Sequence, residues 1–379
     1  MNHASRLAAA SVSVLGLAVA SANAQSLYLF QPAPGYTSAI VTGLSDDGTR
    51  VSGYYANQNG STSAFWGDTS GQIDHFGGVV SPYALGISGD GNVVVGFTRA
   101  FDQGNGRAYR YNTSTRELQN MGTFPRMTIT TARAANRDGS MVVGNGYDRN
   151  NVSVAYRWRE GVGYTSLNIG LSEAPAVSGD GNVVVVNLAS RVGGAFVWNA
   201  DGSLRALGLP QDGRDWYSTA SSTNHDGSIV VGVASTGDIN GDSQAAVWRH
   251  GQIELLGSLG NSMIATHTNN DGSIIAGEYY DGNASTGTMW TAAHGLETAD
   301  AYFARFGLTL DPGWRFSRIY DMSADGMTIT GAISNRSLNI GRSYVVTVPA
   351  PASLAVWLLA MAAVPRRQSA CHADAIAAS

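Results

Sequence analysis

The sequence predicts an all-β chain folded as a seven-bladed β-propeller of four-stranded blades, and three observations predict it. The first is a phrase, Ser or Asn, any residue, Asp, Gly, followed by a β-branched run. It occurs as Ser45-Asp46-Asp47-Gly48, Ser88-Gly89-Asp90-Gly91, Asn136-Arg137-Asp138-Gly139, Ser178-Gly179-Asp180-Gly181, Asn224-His225-Asp226-Gly227, Asn269-Asn270-Asp271-Gly272 and Ser323-Ala324-Asp325-Gly326. From Asp to Asp the steps are 43, 48, 42, 46, 45 and 54 residues, the window of a solenoid, a propeller or an array. The second is an Ala-aromatic-Trp signature later in each unit, as in Ala64-Phe65-Trp66, Ala155-Tyr156-Arg157-Trp158 and Ala246-Val247-Trp248. The third is a mismatch at the ends: the last unit runs into Pro349 before a fourth strand, while an unattached strand, residues 26–31, precedes the first unit.

Each part of the unit has a physical reason. Ser or Asn first and Gly fourth suit a type I turn whose last residue takes a positive φ. Such a turn joins hairpin strands. The runs that follow, Val93-Val94-Val95-Gly96 and Ile229-Val230-Val231-Gly232 among them, are apolar on both faces, as a strand buried on both sides requires. The aromatic strand comes next, and a short strand ending in Leu-Gly closes the unit, as in Ile253-Glu254-Leu255-Leu256-Gly257. Strand 26–31 is expected to complete the last blade and close the ring, which removes the open edges of a linear stack.

The flanks read differently from the repeats. Residues 1–24 have a short polar start with Arg6, an apolar run from Leu7 to Ala20 and Ala22-Asn23-Ala24 before Gln25, the form of a secretory signal peptide. Residues 25–348 are the propeller domain. The longest step carries an insertion, a short helix near 298–306 with Thr298 at its cap, Tyr302, Phe303 and Phe306 on one face and Gly307 at its end, expected as a plug or lid on one face of the disc. Residues 349–379 hold Pro349-Ala350-Pro351-Ala352-Ser353, an apolar run from Leu354 to Val364, and Arg366-Arg367. As a helix, Ala352 to Val364 spans about 20 Å, short of the roughly 30 Å hydrocarbon core, so the segment reads as a C-terminal sorting signal with a short hydrophobic helix and a tail.

The units resemble the HAF-type extracellular repeats, in which a His-Ala-Phe-like strand follows a Ser-x-Asp-Gly turn and a Val-Val-Gly strand; Phe306-Gly307-Leu308 through Trp314 to Asp325-Gly326 is similar to the end of such proteins. The tail resembles a PEP-CTERM anchor, with Ala350 where the acidic residue of the tripeptide usually stands and with twelve residues after the Arg pair. The resemblance implies export, handling by exosortase-type sorting machinery, transient inner-membrane anchoring, and a place at the cell surface, in the outer envelope or outside the cell with exopolysaccharide. It implies no known enzymatic activity.

Composition narrows the chemistry. All 23 basic residues are Arg, and the net charge of −5 comes without any block of Arg, which argues against nucleic acid and anionic lipid surfaces as partners. The single Cys, Cys371, lies in the tail, so the domain holds neither a disulfide nor a thiol nucleophile. No G-x-S-x-G, H-E-x-x-H or P-loop motif is present. His75, His225, His250, His267 and His294 are scattered without ligand spacing. No catalytic residue is assigned, and the chain reads as a non-catalytic binding or interaction module for extracellular glycans, against an extracellular polysaccharide hydrolase or lyase, or a purely structural surface protein.

Three candidate sites follow. The seven turn Asp, Asp47, Asp90, Asp138, Asp180, Asp226, Asp271 and Asp325, either form an acidic ring that gathers cations or accept hydrogen bonds inside their own turns. In Gly237-Asp238-Ile239-Asn240-Gly241-Asp242-Ser243 the oxygen-bearing Asp238, Asn240 and Asp242 alternate as in the first half of a calcium loop, and calcium is the one cofactor in view. Arg214, Trp216, Tyr217 and Tyr279 are loop-placed candidates for a ligand face, or packing between blades.

Overall fold

The structure, a computed structural model, describes residues 25–76, 81–98, 106–167, 170–188, 194–236, 243–260 and 262–349. They form seven four-stranded antiparallel sheets. Six sheets are runs of four strands consecutive in sequence, and the seventh takes its outermost strand from the other end of the chain. That strand, Ser26–Leu29, pairs with Ile340–Thr347 from Ser26 opposite Thr347 to Leu29 opposite Tyr344. The Phe30 N–H then donates to the Ser343 carbonyl at 2.9 Å. The ring closes as the sequence predicts, with three strands from one terminus and one from the other.

The first strands of the blades, Ser38–Leu44, Pro82–Ile87, Ile129–Ala135, Ser172–Val177, Trp216–Thr223, Ser262–Thr268 and Trp314–Met322, each contact the next, and the last contacts the first. They wall a central channel. Between every pair of neighbouring blades lies one buried apolar cluster, seven clusters for seven seams. The seam between blades 2 and 3, for example, joins Val93, Val95 and Met121 to Ala132, Val142, Tyr156 and Trp158. The seam that closes the ring sets Phe30 and Val345 against Val41, Val51 and Phe65.

The Val-Val-Gly and Ala-aromatic signatures turn out to be two halves of one device. The hydroxyls of Tyr109, Tyr156 and Tyr344, on third strands, reach over the second strand to the first-strand carbonyls of Tyr83, Thr131 and Arg318, at 3.1, 2.9 and 3.5 Å. The second strand must carry Gly where the ring passes. A Cβ on Gly96, Gly144 or Gly331 would stand 2.7 to 3.0 Å from the Tyr oxygen and about 2 Å from a first-strand carbonyl oxygen.

The inserted helix, Ala299–Ala304, starts where expected, with the Thr298 hydroxyl accepting the Ala301 N–H at 3.2 Å. Its place differs from a plug. Tyr302 and Phe303 are buried beside Met289, Phe316 and Tyr344, so the helix fills the seam between blades 6 and 7 and none of its residues lines the channel. Its apolar face is spent on packing. Among the described residues no helix is long and apolar enough to cross a membrane. The segments expected as signal peptide, residues 1–24, and as sorting signal, from residue 350, lie outside the described residues, as do Asp238, Asn240 and Asp242 of the calcium-loop reading.

Candidate functional site: the central channel

The repeated turn builds one end of the channel, and its four positions divide the labour. Position one fixes the turn: the Ser178 hydroxyl donates to Asp180 Oδ1 at 2.6 Å and accepts the Val183 N–H at 2.9 Å. Where the sequence has Asn, its Oδ1 takes over the second role, accepting the N–H of Met141, Ile229 or Ile274 at 2.9 to 3.0 Å. Position four is Gly in all seven turns, with φ between 68° and 74°. Position three, the Asp, folds back into its own turn. Hydrogen bonds from the Ser140 hydroxyl and N–H hold Asp138 below the usual carboxylate range, and the same pair from Ser228 and Ser273 acts on Asp226 and Asp271. The turn reading of the seven Asp is the one the geometry favours over the acidic ring.

Position two is the one that faces the channel. Asp46, Gly89, Arg137, Gly179, His225, Asn270 and Ala324 all line a cavity of about 380 Å³ there. Their turns are tied into a circle by hydrogen bonds from each blade to the next. Asp46 N–H donates to Gly89 O, Asp90 to Arg137 O, Arg137 to Gly179 O, Asp180 to His225 O, Asn270 to Ala324 O and Ala324 to Asp46 O, at 2.8 to 2.9 Å. The remaining link, His225 N–H to Asn270, uses the side-chain Oδ1 at 3.1 Å. Seven links encircle the channel, and small residues leave room for the large ones. A Cβ on Gly89 would come within 2.4 Å of the Asp46 carboxylate, and one on Gly179 within 2.2 Å of His225 Nδ1. Asp46 thereby reaches past blade 2 to Arg137 of blade 3, 3.7 Å from its Nε. Burial raises the Asp46 carboxyl, and Arg137 counters part of that.

Deeper residues come from a second repeated feature. Every first strand slips register once against its neighbour, between Val41 and Gly43, Ala84 and Gly86, Ala132 and Ala134, Glu173 and Ala176, Ala220 and Ser222, Ala265 and His267, and Phe316 and Arg318, with a further slip between Ile319 and Asp321. A bulge re-aims the extra residue, and Thr42, Leu85, Arg133, Pro175, Ser221 and Tyr320 accordingly line the cavity.

Two walls of the channel carry opposite character. On blade 3, Arg133 donates from Nε to Asn145 Oδ1 at 3.1 Å and from Nη2 to the Tyr147 hydroxyl at 3.4 Å. On blade 7, Asp321 Oδ2 accepts the Leu44 N–H and Oδ1 accepts the Met322 N–H, both at 2.8 Å. Burial pushes the Asp321 carboxyl up to about 7 against the pull of those two N–H groups. His267 Nε2 stands 3.9 Å from Asp321 Oδ1. Burial lowers His267 to about 4, so it is neutral and the pair is not an ion pair at neutral pH. Its Nδ1 is buried with no hydrogen-bond partner.

The residues singled out from sequence separate cleanly. His225, grouped there with the scattered His, lines the channel with His267. Trp216 is buried and donates from Nε1 to Asp212 at 2.8 Å, with Arg214 stacked 4.5 Å over its ring. Tyr279 packs against the seam between blades 5 and 6, while Tyr217 is exposed. Asp46, Arg133, Arg137, Asn270, Tyr320 and Asp321 were not singled out. For Asp46, Arg137 and Asn270 a signal existed: they occupy the one position of the phrase that takes any residue. For Arg133 and Tyr320 none did, because a bulge changes which face a residue points to without any mark in composition. Among the described residues no group of three or more His, Cys, Asp or Glu lies close enough to hold a metal ion.

Fold and channel together define a ring-closed, seven-bladed β-propeller with a polar central cavity. Solved structures share the architecture. An oligogalacturonate lyase in complex with manganese aligns at 14% identity over 88% of this chain and 98% of its own, with a TM-score of 0.58. The β-propeller domain of the Trilobed protease from Pyrococcus furiosus, described as an open velcro topology, aligns at 10% identity over 82% and 93%, also at 0.58. TolB from Acinetobacter baumannii aligns at 13% identity over 65% of this chain, which spans 62% of that protein, with a TM-score of 0.45. The first two likenesses, at these identities, speak to the fold alone. No family model matches the chain, and no curated protein matches it.

Proposed function

We propose that the chain is an exported, non-catalytic binding module of the cell surface or extracellular matrix, and that it takes an extracellular glycan in its central channel. The observation that carries this is the cavity itself: about 380 Å³, within the range of roughly 300–1,000 Å³ typical of small-ligand sites, with polar side chains such as Asp46, Arg133, His225, Asn270 and Asp321 contributed by blades 1, 3, 5, 6 and 7. The repeated motif spends its Asp and Gly on the scaffold and varies most widely at position two, which meets the channel in all seven blades. That is the division of labour a recognition surface needs. Export, exosortase handling of the tail and transient membrane anchoring belong to the same reading and rest on residues 1–24 and 349–379 of the sequence. Calcium at Asp238, Asn240 and Asp242 would stiffen a loop of this module and is not needed for the channel site.

A glycan array probed with the full chain tests the reading: retention of acidic or amino-bearing extracellular polysaccharides is the expected result, and binding to no glycan overturns it. A second reading, a polysaccharide-active lyase or hydrolase, draws on the likeness to oligogalacturonate lyase across 98% of that protein's length. It predicts a new unsaturated end or reducing end when the chain is incubated with polysaccharide, and unaltered polysaccharide after long incubation counts against it.

A further inference from the structure

We infer that the channel recognises a zwitterionic sugar unit, one carrying both a carboxylate and an ammonium, with the carboxylate on Arg133 and the ammonium on Asp321. This rests on the channel being a glycan site and narrows what the site accepts. Blades 3 and 7 stand across a seven-membered ring from each other, so the cavity has a guanidinium on one wall and a carboxyl on the other. Both poles are held in place by neighbours. The contacts to Asn145 and Tyr147 use two of the five N–H donors of Arg133 and orient its fork. A planar carboxylate matches the edge that remains. The Leu44 and Met322 N–H groups use one lone-pair site on each Asp321 oxygen and fix the carboxylate plane, leaving acceptor capacity for an ammonium.

At the mouth Asp46 and Arg137 face each other at 3.7 Å, and what Arg137 leaves of the Asp46 charge acts on Asp321, on the same acidic side of the channel. Between the poles the lining mixes the Ser221 and Ser222 hydroxyls with apolar groups such as Leu85, Pro175 and Val177, which suits the hydroxyls and the C–H faces of a sugar ring. A ligand with a carboxylate alone would leave Asp321 facing it across the cavity, and one with an ammonium alone would face Arg133, so each pole rejects the wrong end as well as holding the right one.

The test uses the full chain and three congeners of one disaccharide in titration calorimetry. The parent is glucosamine linked to glucuronate; the second has its amine acetylated; the third has its carboxylate reduced to an alcohol. The parent is expected to bind at least tenfold more tightly than either congener. Asp321→Asn is expected to erase the difference between the parent and the acetylated form, and Arg133→Gln the difference between the parent and the reduced form, with each variant's melting curve checked first. The congener comparison on the unsubstituted chain stands even if a variant fails to fold. Equal binding of all three, or tighter binding of a neutral or singly charged form, overturns the zwitterion proposal while the glycan reading stands. Binding of none of these while other glycans are retained overturns only this proposal, and binding of no glycan at all overturns both.

Discussion

Ser26 stands directly opposite Thr347, so the first described strand of the chain is hydrogen-bonded to the last. The seventh blade is therefore assembled only when the two ends of the domain meet. Contacts of this sequence separation carry the largest loop-closure cost, and the apolar seam around them must repay it.

Removing that seam's anchor should be costly. Phe30 is 2% exposed and packs against Phe65 at 6.2 Å and Tyr28 at 4.9 Å. Phe30→Ala is expected to lower stability by about 3 kcal/mol in urea denaturation, in the range of buried Phe truncations. Tyr217→Ala, at a position 43% exposed, is expected to change it by less than about 0.5 kcal/mol. Equal effects of the two would argue that the N-terminal strand does not close the ring in solution.

The Gly of the Val-Val-Gly run should tolerate nothing larger. A Cβ on Gly144 would lie 2.0 Å from the Thr131 carbonyl oxygen, a backbone atom that cannot swing aside. Gly144→Ala is expected to cost about 3 kcal/mol or to abolish folding. Gly282→Ser, in a hairpin with nothing within 4 Å of the added atom, meets only the strain of its φ of 86° and is expected to cost less, about 1 kcal/mol. Thermal melts of the two variants compare them directly.

The pH dependence of stability should hide two opposed slopes. Asp321 faces the neutral His267 at 3.9 Å and the charge of Asp46, and burial places its carboxyl at about 7. The native state thus holds that proton more tightly than the unfolded chain, and stability is lost as pH rises from the usual carboxylate range to about 7. His267, lowered to about 4, works the other way: the unfolded chain takes up the proton first, and stability is lost as pH falls from the usual imidazole range to about 4. The two largely cancel in between. Asp321→Asn should therefore leave a protein that weakens on acidification, and His267→Gln one that weakens toward neutral pH, each on the order of 2 kcal/mol across the window. Denaturation midpoints at several pH values check this, and flat profiles in both variants would contradict the assignment.

These residues also mark how far the sequence could be read. Blade count, strand order and ring closure were legible because each rests on a local rule repeated seven times or on an end that lacked a partner, and the helix cap at Thr298 because a cap is set by a residue and its immediate neighbours. The site was not, for a related reason. Repetition drew attention to the constant Asp, whereas the channel is lined by the position that changes, from Asp46 to Arg137 to His225. Arg133 and Tyr320 reach the channel through bulges, which depend on pairing between strands and have no signature along one strand. Likewise the aromatic residues expected to plug a face, Tyr302 and Phe303, were correctly placed on one side of a helix, but only packing decides which apolar surface that side meets.

One feature of blade 7 bears on how the domain carries load. Its third strand, Ile340–Thr347, is flanked on one side by Thr328–Asn335 and on the other by the N-terminal strand. Tension applied to the chain beyond Val348 therefore runs parallel to two ladders of hydrogen bonds at once, which must slide together before any bond gives. A chain leaving from an outermost strand would instead unzip bond by bond, so the borrowed strand makes this exit from the domain mechanically strong.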